Sequence, residues 1–191
     1  MFYRPEAGSG LPHNPFKAVV SPRPIGWIST RVGGLGDNLA PYSFFNAVGD
    51  SPPLVMFAGD PNDSITNACA AGVFAVNIVE KATWRKMNAT SARVARGVDE
   101  FVLCGVAKAE CTTIDCPRVA DAPATLECVL ERHLVLPGDN HMVIGRVTGI
   151  HLRDDCLRDG RFDVTAYVPV ARLGYKDYAF VREVRSLDRP E

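Results

Sequence analysis

The sequence lacks any apolar run approaching the roughly 20 residues of a membrane span. Its opening stretch, MFYRPEAGSGLPHNPFKAVV, also holds no apolar segment of signal-peptide length. A cytoplasmic protein that engages no membrane is expected. Charge of one sign is not in excess either, since 21 basic and 22 acidic residues give a net charge of -1. No electrostatic footprint points to nucleic acid, which leaves a small molecule as the default partner. The six cysteines (Cys69, Cys104, Cys111, Cys116, Cys128, Cys156) form no CxxC pair, and the four histidines (His13, His133, His141, His151) fall outside zinc-site spacing. Reduced structural thiols and no bound metal are expected. GxGxxG, the P-loop, GxSxG, HExxH and the EF-hand loop are all missing. If the chain is an enzyme, its chemistry resides in a bound cofactor, and no catalytic side chain is expected.

What is present is a chain of 191 residues, 47% apolar, which suits one domain spanning 1–191. Glycine and proline punctuate it at short intervals. Between them lie β-rich runs: IGWIST (25–30), LVMFA (54–58), VFAVNIV (73–79), TLECVLERHLVL (125–136) and MVIGRVTGIHL (142–152). Short strands with turn chemistry predict a mainly β fold, a barrel or a sandwich. IGWIST has apolar residues on both faces, as a covered barrel wall does. Helical spacing recurs in NDSITNACAAG, where Asn62 or Asp63 can cap the start and Gly72 the end, and less regularly in ATWRKMNATSARV. An irregular excursion is expected over 108–123 and a polar loop over 154–163.

Two stretches carry the ligand argument. GDNLAPYSFFNAVGD (36–50) is too aromatic for a surface loop and too polar for a core strand, which suits the wall of a slot for a flat ligand. NDSIT offers Ser64 and Thr66 at a helix N-terminus, where a phosphate or an ordinary capped surface helix would both fit. Ser29, Thr30, Asn88, Thr90 and Ser91 add hydroxyl and amide groups, and Arg23 and Arg31 are candidates for a phosphate or for solvent.

The blocks GLPHNPFKAVVSPRPIGWIST, DNLAPYSFFNAVGDSPPLVMF, NDSITNACAAGVFAVNIV, MNATSARVARGVDEF, GDNHMVIGRVTGIH and PVARLGYKDYA occur in an order that resembles the flavin reductase-like family. Its members have a Greek-key, FMN-binding split β-barrel and include flavin reductases and flavoredoxin. The resemblance implies FMN held non-covalently at a homodimer interface, taking hydride from NADH or NADPH and passing it to a small-molecule or protein acceptor. The alternative is a flavoredoxin-like electron carrier reduced by a protein partner. It further implies that Ser29 and Thr30 meet the ribityl phosphate together with Asn62, Asp63, Ser64 and Asn67. Ser43, Phe44, Phe45 and Asn46 would lie along the ring, while Asn88, Ala89, Thr90 and Ser91 close the phosphate end. His141, Arg172 and Tyr175 would contact nicotinamide or substrate, with His13 near them. Asn62 stands where many relatives carry Lys or Arg, which removes one phosphate charge.

Overall fold

In chain order the elements are helix α1 (Phe16–Val19), strands β1 (Arg23–Pro24), β2 (Gly26–Thr30), β3 (Asn38–Tyr42), β4 (Phe45–Asp50) and β5 (Pro53–Gly59), helix α2 (Asp63–Ala71), strand β6 (Val73–Ile78), helices α3 (Trp84–Ala89) and α4 (Glu100–Leu103), then strands β7 (Lys108–Glu110), β8 (Pro117–Val119), β9 (Ala124–Leu136), β10 (Asn140–Leu152), β11 (Leu157–Arg158), β12 (Arg161–Phe162), β13 (Val170–Arg172) and β14 (Tyr178–Phe180). They are seen in a computed structural model that describes residues 1–190.

Seven strands form one antiparallel sheet in the order β3-β2-β6-β9-β10-β5-β4. Alternation sorts the side chains of β2 and its flank onto two cores. Ile28 joins Phe57, Phe74, Val76 and Val143 on one face, whereas Ile25 and Trp27 join Val79, Met87 and Phe101 on the other. All five positions of β2 are therefore buried. The sheet curls so that aromatics from separate strands meet edge to face, Tyr42 with Phe57 at 4.8 Å and Phe57 with Phe74 at 5.1 Å between ring centroids. A methyl at Gly26 would sit 2.7 Å from the Phe45 ring, so the missing side chain is what lets β4 fold over β2.

Helix α2 crosses the curl because its sequence starts and stops it cleanly. The Asn62 side chain accepts from the Ile65 amide at 3.2 Å, and Gly72, at φ 71°, closes the end in a left-handed turn. Ile65 and Ala68 point into the first core. Elsewhere the expectations need adjustment. The 108–123 excursion contains a short hairpin of β7 and β8, and the 154–163 loop contains another of β11 and β12. The second predicted helix is real but stops at Ala89. Helix α4, which the sequence reading does not include, is capped by Asp99, whose carboxylate accepts from the Val102 amide at 3.1 Å. The six cysteines are free thiols. No helix among the described residues is long and apolar enough to cross a membrane.

Candidate functional site

The crossing of β3 and the start of α2 leaves a cleft of about 630 Å³, walled by Ala40, Pro41 and Tyr42 on one side and by Asn62, Asp63 and Ser64 on the other. The chain after α3 closes it with Thr90, Ser91, Ala92, Arg93, Val94 and Arg96. Beneath lies a buried polar floor. Ser64 Oγ donates to Asn38 Oδ1 at 2.7 Å, and Asn38 Nδ2 donates to the Glu100 carboxylate at 3.2 Å. Glu100 also accepts from the Leu39 amide at 3.0 Å. Burial pushes the Glu100 pKa up, opposed by these hydrogen bonds. Tyr42 donates to Asn62 Oδ1 at 2.6 Å, and burial drives its phenol pKa up to about 12, so it stays a neutral donor.

The first amides of a helix have no carbonyl partner within it, and the first residues of α2, Asp63 and Ser64, line the cleft with the positive end of the helix dipole. Two arginines line the cleft, and one of them reaches this end. Arg96 reaches Asp63 Oδ1 at 2.6 Å and Asn67 Oδ1 at 3.0 Å, while Arg93 is exposed and has no carboxylate partner among the described residues. The cleft combines hydroxyls, two cations and the Asp60, Asp63 and Glu100 carboxylates with an apolar wall, and Arg96 neutralises Asp63. It can hold a flat molecule with an anionic tail.

A second cavity of about 370 Å³ continues beyond Pro41 and Ser91, which line both. Its walls include Lys17, Arg23, Ser43, Asn88, Arg172, Tyr175 and Tyr178. Arg172 Nη2 donates to the Tyr175 carbonyl at 2.6 Å, and the guanidinium lies 4.6 Å over the Tyr178 ring. Tyr175 adopts a left-handed backbone at φ 54°, and its ring faces that of His13 at 5.7 Å. Arg23 is buried and committed to backbone: it donates to the carbonyls of Lys17 and Val20 and, at 2.8 Å, of Leu173.

The structure thus gathers Asn62, Asp63, Ser64, Thr90 and Ser91 in the first cleft and Ser43, Asn88, Arg172 and Tyr175 in the second. Other expected contacts fall outside both. Ser29 is fully buried, donating to the Pro117 carbonyl at 2.6 Å and accepting from Asn77 at 3.1 Å, so its hydroxyl is spent in the core. Thr30 and Asn67 lie under the cleft, bonded to each other at 3.2 Å, and serve its floor. Phe45 packs in the first core, Phe44 lies 5.6 Å beneath the Lys17 ammonium, and Asn46 and Ala89 are exposed without lining either cavity. Arg31 is held by Asp37 at 2.8 Å, Glu110 at 2.7 Å and Asp115 at 2.9 Å. Three carboxylates surround it, and it lines neither cavity. His141 sits elsewhere, against the far side of α2, stacked on His133 with ring nitrogens 2.8 Å apart.

The blocks around these cavities are those of a known domain. The flavin reductase like domain family matches residues 20–180. The chain belongs to the flavin reductase-like family. An uncharacterized protein of Deinococcus radiodurans is 39% identical over 186 residues, 90% of this chain and 82% of that protein. The 2-nitrobenzoate 2-nitroreductase of Pseudomonas fluorescens is 29% identical with a TM-score of 0.85, covering 92% of this chain and 88% of its own. Component B of nitrilotriacetate monooxygenase from Bacillus cereus is 28% identical with a TM-score of 0.86, covering 94% and 100%. The fold is the split β-barrel of flavin reductases.

Arg93, Arg96 and the Tyr42–Asn62 pair are the cleft features that sequence reasoning missed. Nothing in RVARGVDE marks its arginines as turned toward α2, some 30 residues earlier in the chain. One signal was available, because loss of a basic residue at Asn62 asks for a replacement cation nearby.

Proposed function

We propose that the first cleft binds FMN and that the chain is an NAD(P)H-dependent flavin reductase, passing hydride equivalents from a reduced nicotinamide to a second acceptor. The single observation that carries the reading is the meeting, in a flavin reductase-like chain, of the α2 N-terminus with Arg96 in a cleft also lined by Arg93 and walled by Ala40, Pro41 and Tyr42. That donor set fits a phosphate on a flat ring system. Ser91, Arg93, Arg96 and the Asp63 and Ser64 amides would receive the phosphate. Pro41 and Val94 would exclude water from the ring. Tyr42, held neutral and tied to Asn62, keeps the α2 start fixed against β3.

When bound, FMN supplies the hydride-accepting chemistry itself, in keeping with the lack of a catalytic triad in the sequence. The chain's task is to position and to shield. His141 lines neither cavity, and in this reading a second copy of the chain brings it to the nicotinamide. A homodimer is part of this proposal, supported by exposed apolar side chains on the sheet, among them Val48, Val135 and Ile150. A final acceptor of small-molecule size is favoured by the second cavity; a flavoredoxin-like carrier role would instead require a protein donor.

Titration of the flavin-free protein with FMN, followed by quenching of flavin fluorescence, tests the cleft assignment. Saturable binding that is much weaker for riboflavin is expected, and absence of FMN binding would refute it. Sedimentation of the FMN-loaded protein as a monomer would remove the dimer.

A further inference from the structure

The second cavity has a lining with three cations, Lys17, Arg23 and Arg172, and no carboxylate. Arg23 and Arg172 are directly opposed partners on β1 and β13, an arrangement of like charges that costs stability unless something offsets it. The Arg23 charge is met by backbone carbonyls and by Ser43 Oγ at 3.5 Å. Arg172 spends one nitrogen on the Tyr175 carbonyl and has no ion pair among the described residues. Lys17 likewise lacks a carboxylate partner there, its ammonium lying 5.6 Å from the Phe44 ring centre. Arg31 and Lys108 instead share Asp37. Lys17 is exposed, Arg172 half-buried and Arg23 buried, so this cavity is lined by three cations with no carboxylate among them.

The rest of the lining is aromatic or small and polar. Tyr175 and Tyr178 supply flat faces, and Ser43, Asn88 and Ser91 supply hydrogen-bonding groups. At about 370 Å³ the space suits one ring with a substituent and is too small to enclose a dinucleotide. It opens beside the first cleft through Pro41 and Ser91.

We propose that this cavity binds the carboxylate of a single-ring aromatic acid, with Arg172 and Lys17 receiving the carboxylate, Arg23 adding its charge from below, and Tyr175 and Tyr178 flanking the ring. The proposal concerns binding alone and does not depend on the flavin reading above. An acid seated here lies next to the cleft assigned to FMN.

The test is calorimetric titration of benzoate, with benzyl alcohol as the uncharged control, into the protein with and without FMN. Saturable benzoate binding that weakens as salt is raised is expected, with no binding of the alcohol. Arg172→Gln and Lys17→Gln should each weaken benzoate by about tenfold, with partial rescue in Arg172→Lys and FMN affinity unchanged in all three. No benzoate binding to the parent protein, or equal binding by both Gln variants, overturns the proposal. So does a tenfold loss of FMN affinity in Arg172→Gln, which would give the cations to the FMN phosphate. A raised KM for NADH with benzoate binding unaltered would give them to the dinucleotide. If benzoate binds as described to protein that never retains FMN, the acid site stands and the flavin reading fails.

Discussion

Replacing Arg96 by Gln removes the guanidinium group at the α2 N-terminus while keeping an uncharged side chain that can hydrogen-bond. Arg96 now donates to Asp63 and Asn67, at 2.6 and 3.0 Å. A hydrogen bond to a charged group contributes about 1.5–3 kcal/mol. The Arg96 side chain is 46% exposed, however, and solvent screening lowers the expected loss to about 1–2 kcal/mol. FMN should therefore bind about 5- to 30-fold more weakly. Riboflavin, which has the same ring and no phosphate, separates charge from architecture. Its affinity should not change, so the preference for FMN over riboflavin shrinks by the full factor. The difference between parent and variant should also fade at high salt. Fluorescence titration of both flavins at two salt concentrations reads all of this. If Arg96→Gln weakens riboflavin as much as FMN, Arg96 acts by holding Asp63 and Asn67 in place, and the phosphate assignment is wrong.

Other expected outcomes concern the frame around the cleft. Thr90→Val strips the Trp27 indole of its acceptor, a 2.9 Å bond between buried groups, and should cost about 1–3 kcal/mol in urea unfolding; an unchanged midpoint would refute the role given to that bond. Gly26→Ala should cost about 1–3 kcal/mol by overpacking, because its methyl would meet the Phe45 ring at 2.7 Å. Glu127 is fully buried. Burial pushes its pKa up, but hydrogen bonds from Thr113, the Thr112 amide and His151 outweigh this and bring it down from 4.5 to about 2. A carboxylate lowered on folding stabilises above its unfolded pKa, so this contribution is present at neutral pH. It should be lost as pH falls from about 4.5 to about 2, by up to about 3 kcal/mol. Glu127→Gln offers one acceptor oxygen to two backbone amides, at 2.6 Å each in the parent; it should be less stable at pH 7 and less sensitive to acid, and parallel pH–stability curves would contradict this.

Local chemistry made parts of the fold legible in advance. Asn62 and Gly72 bound α2 as their cap preferences predict, and the alternation of IGWIST marks a strand covered on both faces. Long-range packing decides the rest. Ser29 reads as an available hydroxyl at a strand end, yet β8 lies against it and its oxygen is spent on Pro117. Likewise, the aromatic run at Phe44 and Phe45 divides because the chain bends at Ser43 and Phe44 before β4 begins, which leaves Phe44 half-buried and places Phe45 in the core. Arg31 is singled out in the sequence and Arg96 is not, yet it is Arg96 that lines the cleft while three carboxylates surround Arg31. Of GDNLAPYSFFNAVGD, it is Ala40, Pro41 and Tyr42 that wall the first cleft, with Ser43 turned to the second.

The most direct measurement of the central claim is anaerobic mixing of the FMN-loaded protein with NADH and, separately, with NADPH, following the flavin absorbance. The account predicts bleaching of the flavin band by at least one of the two nicotinamides, and return of the band when an acceptor is added. A flavin band that persists with both, but bleaches with a reduced electron-transfer protein, would contradict the reductase reading and identify a carrier.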